Sequence, residues 1–328
     1  ADIAKNDASC YVRIAAADKL NDQSIAQKVY ADLAKTGEND NLRQDAIRKL
    51  NDQTLLADFA KNEKNGYVRL VAVDKLNDKS LAQTIYIDIA KNDEEYRVRK
   101  AAVEKLIDQS ALADVAKNGK NSDDRLAAVR KLDNKDCLAE IALNDENEQV
   151  RTEAAYKVVN QAVLTKIARN DKNGETLLVA ANKLNNKSLA QIVYANIVKN
   201  DTNLLVFDQA LRKLTNQALL TEIARKSKKG YVRLAAAGKL NSKSLAQTIY
   251  IDIARNDEEY SVRQAAVEKL TDQNVLAKIA RNDKDKNVRW VAVEKITSRA
   301  VLADIAKNDE EIDVRNAALR RLQELQRK

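Results

Sequence analysis

The sequence predicts an all-α protein, an α-solenoid of about twelve two-helix repeats of 26 or 30 residues. Three observations predict it. The first is a duplication. LAQTIYIDIA at 81–90 returns unchanged at 245–254, an offset of 164, half of the 328 residues. The offset holds without a gap: Ile3 meets Ile167, Leu20 meets Leu184, Tyr67 meets Tyr231 and Val150 meets Val314. About half of the aligned positions are identical, so 1–164 and 165–328 read as tandem copies within one domain, 1–328. The second is a finer period. The apolar residue closing each Lys-Leu phrase stands at Leu20, Leu50, Leu76, Leu106, Leu132, Val158, Leu184, Leu214, Leu240, Leu270, Ile296 and Leu322, in steps of 26 or 30. Four extra residues are close to one helical turn, so the long units should carry one more turn on an unbroken first helix. The third is the absence of proline, with only six glycines, which leaves short polar turns as the breaks between helices.

The elements follow in order. Residues 1–6 read as the tail of a first helix, and the chain holds no methionine, so a segment upstream is expected. Second helices are expected near 9–20, 39–50, 65–76, 95–106, 121–132, 147–158, 173–184, 203–214, 229–240, 259–270, 285–296 and 311–325. The first helices between them are long where Tyr30, Tyr86, Tyr194 and Tyr250 stand. Unit 80–106 shows the local logic. Leu81, Ile85 and Ile89 are four apart and form one apolar face. Asn92-Asp93 favours a turn and a cap. Glu94 and Glu95 then sit near the positive end of the second helix, with Lys105 in its last turn, where each charge suits the dipole. The polar QELQRK at 323–328 is expected to cap the stack as a native C-terminus.

Charged residues make up 32% and hydrophobic ones 45%, which excludes a membrane-spanning or disordered chain. The net charge of +8 permits an acidic partner without demanding one. Cys10, placed in a turn, and Cys137, at an apolar position, form no disulfide framework, so a reducing, cytoplasmic compartment is expected. Without histidine there is no Ser-His or Cys-His pair and no histidine metal site, and no Gly-rich phosphate loop appears. No enzyme, cofactor or metal is expected.

Two columns of cations repeat with the period. A Val-Arg pair lies six residues after a turn Asp: Asp7 and Arg13, Asp93 and Arg99, Asp145 and Arg151, Asp257 and Arg263, Asp283 and Arg289, Asp309 and Arg315. Its structural reading is Arg bonded to turn Asp. A lysine precedes the closing apolar residue in every unit but the last; among these Lys75, Lys105, Lys131, Lys239, Lys269 and Lys295 are candidates for a polyanion. Positions that vary between units fall two before, one after and five after the Arg, on one exposed helical face. They supply the candidate partner site: Tyr11, Ile14, Tyr67, Leu70, Asp74, Lys100, Tyr231, Leu234, Trp290 and Glu294. The same positions elsewhere hold Asp313 and Asn316, so they face solvent at least in part.

The D-x5-R spacing with VRxAAxxxL resembles the HEAT repeat, in its short bacterial-type form, and the resemblance covers the whole chain. It implies a right-handed superhelix, an Asp–Arg ladder between successive turns, and second helices lining a concave side. The pattern lapses at Leu177 and Phe207, which replace Arg, and at Gly37, Glu63, Gly119 and Ser227, which replace Asp. Some HEAT-like proteins are DNA-repair glycosylases or bilin lyases, but no motif for either stands in this chain. The function expected is a non-catalytic, monomeric scaffold binding a protein or peptide along its concave face. The alternative is DNA or RNA binding through the Lys and Arg columns.

Overall fold

The computed structural model describes residues 1–327, which form 24 helices and no strand. The chain divides into two units, Ala1–Ile167 and Ala168–Lys328. In the first, first helices α1 (Asp2–Asn6), α3 (Gln23–Thr36), α5 (Gln53–Asn62), α7 (Lys79–Asn92), α9 (Gln109–Asn118) and α11 (Lys135–Asn144) alternate with second helices α2 (Cys10–Ala17), α4 (Asp40–Lys49), α6 (Gly66–Asp74), α8 (Tyr96–Lys105), α10 (Ser122–Lys131) and α12 (Glu148–Lys157). Helix α13 (Gln161–Asn170) contains the division. The second unit continues with α14 (Gly174–Lys183), α15 (Lys187–Asn200), α16 (Leu204–Lys213), α17 (Gln217–Lys226), α18 (Gly230–Ala237), α19 (Lys243–Asn256), α20 (Tyr260–Lys269), α21 (Gln273–Asn282), α22 (Lys286–Lys295), α23 (Arg299–Asn308) and α24 (Ile312–Gln326). Within each unit neighbours in sequence pack as hairpins, giving a solenoid. Cys10 opens α2 and does not lie in a turn, because the cap falls one residue earlier, at Ser9.

The closing apolar residue of each Lys-Leu phrase lies just past its helix. Leu50, Leu106 and Leu132 are extended C-caps, each almost fully buried. Burying that side chain fixes where the helix must stop, in place of the missing proline. The next helix then starts on a side-chain cap. Asp52 Oδ1, for example, accepts from the amides of Thr54 and Leu55 at 2.9 and 3.1 Å.

Arginine joins the successive turns. Arg125, Arg263 and Arg289 each reach the next turn's carboxylate through Nε and Nη2, at 2.8–3.0 Å from Asp145, Asp283 and Asp309. These Asp also accept from backbone amides two residues on, and their carbonyls accept from the Arg of their own unit. Breaking such a buried pair from one side costs about 3–5 kcal/mol. Where the turn Asp is missing, the rung is rebuilt. Glu63 takes the turn amides of Lys64 and Asn65. Opposite Gly119, Arg99 bonds at 2.7 Å to Asp124, which is 0% exposed and stands where neighbouring units have Val98 and Val150. The carboxylate lost from the turn returns from inside the next helix.

A glutamine column, which the repeat pattern alone does not single out, closes each hairpin. Gln83 Nε2 donates to the Lys105 carbonyl at 3.0 Å, and its Oε1 accepts from the Ile107 amide at 2.9 Å. Gln27, Gln53, Gln109, Gln191, Gln217, Gln247 and Gln273 repeat the pattern.

Helices α3, α7, α15 and α19 have 14 residues, against 10 in α5, α9 and α11. The extra turn is helical, as the four-residue insert implies. Its position is the new finding. It packs against the preceding second helix, and the second helices on either side of it stand further apart than elsewhere. Its buried tyrosine reaches back: Tyr30 Oη donates to Asp18 at 2.6 Å, Tyr194 to Asn182 at 2.9 Å, and Tyr86 to Asp74. Burial and the Asp18 acceptor push the Tyr30 hydroxyl up to about 12. Close approach also explains a glycine. A Cβ at Gly66 or Gly230, on the first residue of α6 or α18, would collide with the carboxylate of Asp93 or Asp257 in the turn after the long helix.

At the fourth long unit, position 238 is glycine, and the Tyr250 hydroxyl makes no hydrogen bond to any described residue. Gly238 has an ordinary helical φ of −64°, and a Cβ there would meet Tyr250 Oη at 3.5 Å. Gly238→Asn should therefore raise stability by about 1–2 kcal/mol, from the new hydrogen bond and the lost glycine entropy. Chemical denaturation checks it, and Tyr250→Phe in the same background should remove the hydrogen-bond share.

Candidate functional site

The lysine column is committed to the fold. After a short first helix the ammonium caps the end of the preceding second helix: Lys131 donates to the carbonyls of Val103 and Glu104, Lys239 to those of Leu211 and Arg212, Lys295 to that of Glu268 at 2.8 Å, and Lys75 to that of Arg48. Carbonyls at a helix C-terminus lack partners within their own helix, so a cation there satisfies both hydrogen bond and dipole. Burial pushes the Lys75 and Lys239 ammonium groups below their usual range. After a long helix the neighbours stand too far apart for this, and lysine turns to a side chain, as Lys105 does to Asp74 at 3.2 Å. Lys269, whose counterpart partner would be residue 238, is exposed and has no bonded partner among the described residues.

The varying positions are placed differently. Tyr67 is 40% exposed, and Tyr231 and Trp290 are 39% exposed. Tyr11 and Lys100 are also exposed, while Ile14, Leu70, Leu234 and Glu294 are half-buried. Val68 and Ala72 on the same helix as Tyr67 are fully buried, which separates core face from open face. Asp74 is exposed but engaged by Tyr86 and Lys105. Tyr11 accepts from Asn39 Nδ2 at 3.4 Å. Trp290 borders an open depression with Glu268, Glu294, Arg320 and Glu324. Within each unit, second helices separated by a short first helix approach one another more closely than first helices do, as α20, α22 and α24 show against α19, α21 and α23. The open face therefore lies on the tighter side of the stack in those stretches.

One stretch departs from the regular pattern. The rung that would join residue 207 to residue 227 has lost both members, to Phe207 and Ser227. The Phe207 ring packs edge-on against Tyr231, centroids 5.8 Å apart, and Lys229 lies 6.0 Å from the Tyr231 ring. Helices α16 and α18 hardly approach within 8 Å, unlike α4 and α6, α8 and α10, α10 and α12, or α20 and α22. Their C-terminal ends remain tied by Lys239.

Among the described residues no group of His, Cys, Asp and Glu is placed to hold a metal ion, and no helix is long and apolar enough to cross a membrane. Burial pushes the Cys137 thiol above its usual range, which disfavours the nucleophilic thiolate.

No family model and no curated protein sequence matches the chain. Two solved structures show limited similarity. One is an engineered protein, 13% identical over 98% of this chain and 99% of that one, with a TM-score of 0.31. The other is a designed armadillo repeat protein, 18% identical over 90% of this chain and 98% of that one, with a TM-score of 0.11. At such scores neither adds to the fold described above.

The lysine geometry has a testable consequence. Lys131→Met and Lys239→Met should each lower stability by about 1–2 kcal/mol, because the carbonyls lose a charged donor. A labelled DNA duplex titrated at two salt concentrations should give the same affinity and salt slope for the double variant as for wild type. A shallower slope in the variant would show that these ammonium groups reach phosphates.

Proposed function

We propose that this protein is a non-catalytic HEAT-like α-solenoid scaffold, right-handed and built by tandem duplication of 1–164 and 165–328, that binds a protein or peptide along the face of its second helices. One observation carries the reading. Tyr67, Tyr231 and Trp290 are held partly out of the core at positions where other units carry Arg97, Lys100 or Asp313. The fold does not need an aromatic residue there. Large rigid rings on an open surface gain little from folding and gain more when a partner covers them. Half-buried Leu70 and Leu234 stand beside Tyr67 and Tyr231, so each ring has an aliphatic floor. The repeated Arg, Lys and Gln side chains are occupied in joining helices, which leaves the varied positions as the part of the surface free to differ from unit to unit.

Nucleic acid is the second reading. The engaged lysines Lys75, Lys131, Lys239 and Lys295 support it poorly, since their charge is already committed to helix ends.

Tyr231→Ala together with Trp290→Ala tests the proposal. Peptides enriched on wild-type protein from a random displayed library should bind the double variant at least about tenfold more weakly, in line with the loss of two interface anchors. Its melting temperature should move by no more than about 2 °C, since surface changes cost little. A large fall in melting temperature with peptide binding retained would place these rings in the core.

A further inference from the structure

We propose that the opening between α16 and α18 is a docking site for an acidic peptide that carries a bulky apolar side chain. The proposal rests on the peptide-binding reading above and assigns it a place and a partner chemistry.

Three features coincide there. The first is the missing rung. Elsewhere an Arg and a carboxylate fill the space between consecutive second helices, as Arg263 and Asp283 do. Here Phe207 occupies the Arg position, Ser227 the Asp position, and the helices stand apart. Joined at their C-terminal ends by Lys239, they open toward their N-terminal ends.

The second is an apolar surface at that opening. Leu204 and Leu205, in the first turn of α16, are 71% and 66% exposed. Leu204 lies three residues before Phe207 and so shares its side of the helix, and Phe207 meets Tyr231 across the gap. Two adjacent leucines this exposed contribute nothing to the core and are costly to leave in water, about 25 cal/mol per Å² of apolar area.

The third is charge. Residues 199–233 hold eight basic and three acidic residues, a net +5 out of +8 for the whole chain. Lys199, Lys226, Lys228 and Lys229 line one depression beside the ring pair. Among the described residues only Lys199 of these four has an acidic partner, Glu222 at 2.8 Å. Loss of the turn Asp at position 227 removes the carboxylate that would have offset the others. An apolar side chain can therefore enter between Phe207, Tyr231 and Leu204 while carboxylates flanking it meet Lys226, Lys228 and Lys229. The exposed aliphatic pair favours a peptide over a nucleic acid, which has no aliphatic side chains to cover it. Basic rims of this kind steer an acidic ligand and set its orientation, so binding should weaken as salt rises.

Two fluorescent peptides of about 15 residues serve as probes, one of Glu and Asp interrupted by Leu and Phe, the other with Lys replacing every acid. The full chain is compared with Leu204→Ser/Leu205→Ser, with Lys226→Glu/Lys229→Glu and with Trp290→Ala. All altered side chains but Lys229 are exposed and Lys229 is half-buried; unchanged circular dichroism and melting temperature confirm that each variant folds. The acidic peptide should bind wild type and Trp290→Ala alike, bind either double variant at least about tenfold more weakly, and weaken with salt; the basic peptide should not bind. Acidic-peptide binding lost in Trp290→Ala but unchanged in both double variants overturns this site and leaves the wider reading standing. Failure of both peptides to bind overturns both. A labelled duplex that binds wild type and Leu204→Ser/Leu205→Ser equally, but not the charge-reversed variant, in the absence of peptide binding assigns the patch to nucleic acid and overturns the proposal. Self-association on ultracentrifugation that disappears in Leu204→Ser/Leu205→Ser assigns it to a second copy of the chain and likewise overturns it.

Discussion

The bidentate contact between an arginine and the next turn's aspartate is the interaction on which the stack depends. One carboxylate, such as that of Asp283, holds the guanidinium of Arg263 and its own turn's amide at Asp285, while its carbonyl holds Arg289. The group therefore fixes the local turn, the neighbouring repeat and the following helix together. A buried ion pair is weak evidence for stability by itself, because desolvation offsets much of the attraction. Its effect here is positional: only one spacing between turns lets both nitrogens reach both oxygens. The fold tolerates loss of the usual Asp when another carboxylate arrives from elsewhere, as Asp124 does for Arg99.

The long units solve a different problem. A fourteen-residue first helix places its extra turn between two second helices and spreads them. Lysines that would cap a neighbouring helix end can no longer do so, and Asp18 and Asp74 serve Lys49 and Lys105 instead while also accepting from Tyr30 and Tyr86. The turn after the long helix then comes so close to the start of the preceding second helix that Gly66 and Gly230 leave no room for a side chain. Helix length, a tyrosine, an aspartate and a glycine are thus one device distributed over two units.

Departures from the regular contacts differ in their consequences. Asp124 departs from the apolar rule at its position and restores a rung. Phe207 and Ser227 depart together and restore nothing. Their joint effect is an opening, flanked by two exposed leucines and a run of lysines. In a repetitive protein, a place where the contact that joins neighbours is given up needs another reason to persist.

The sequence by itself determined the helices, their order and their lengths. Period and polarity decide these locally: Leu81, Ile85 and Ile89 mark a helical face, and a four-residue insert preserves it. It also separated Val68 and Ala72, constant and buried, from Tyr67 and Leu70, which vary and stand more open. Only the tertiary structure decided what the lysines and glutamines do. A lysine in the last turn of a helix suits its own dipole in any context, so its column spoke equally for a basic rim; the carbonyl that Lys131 reaches belongs to the unit before it, 27 residues away. Gln83 reaches Lys105 and Ile107 at comparable distances in sequence. The gap between α16 and α18 likewise depends on how two helices approach through residues that sequence spacing alone treats as a lapse in pattern. Contacts between units are set by packing, and periodicity reports only which side of a helix a residue occupies.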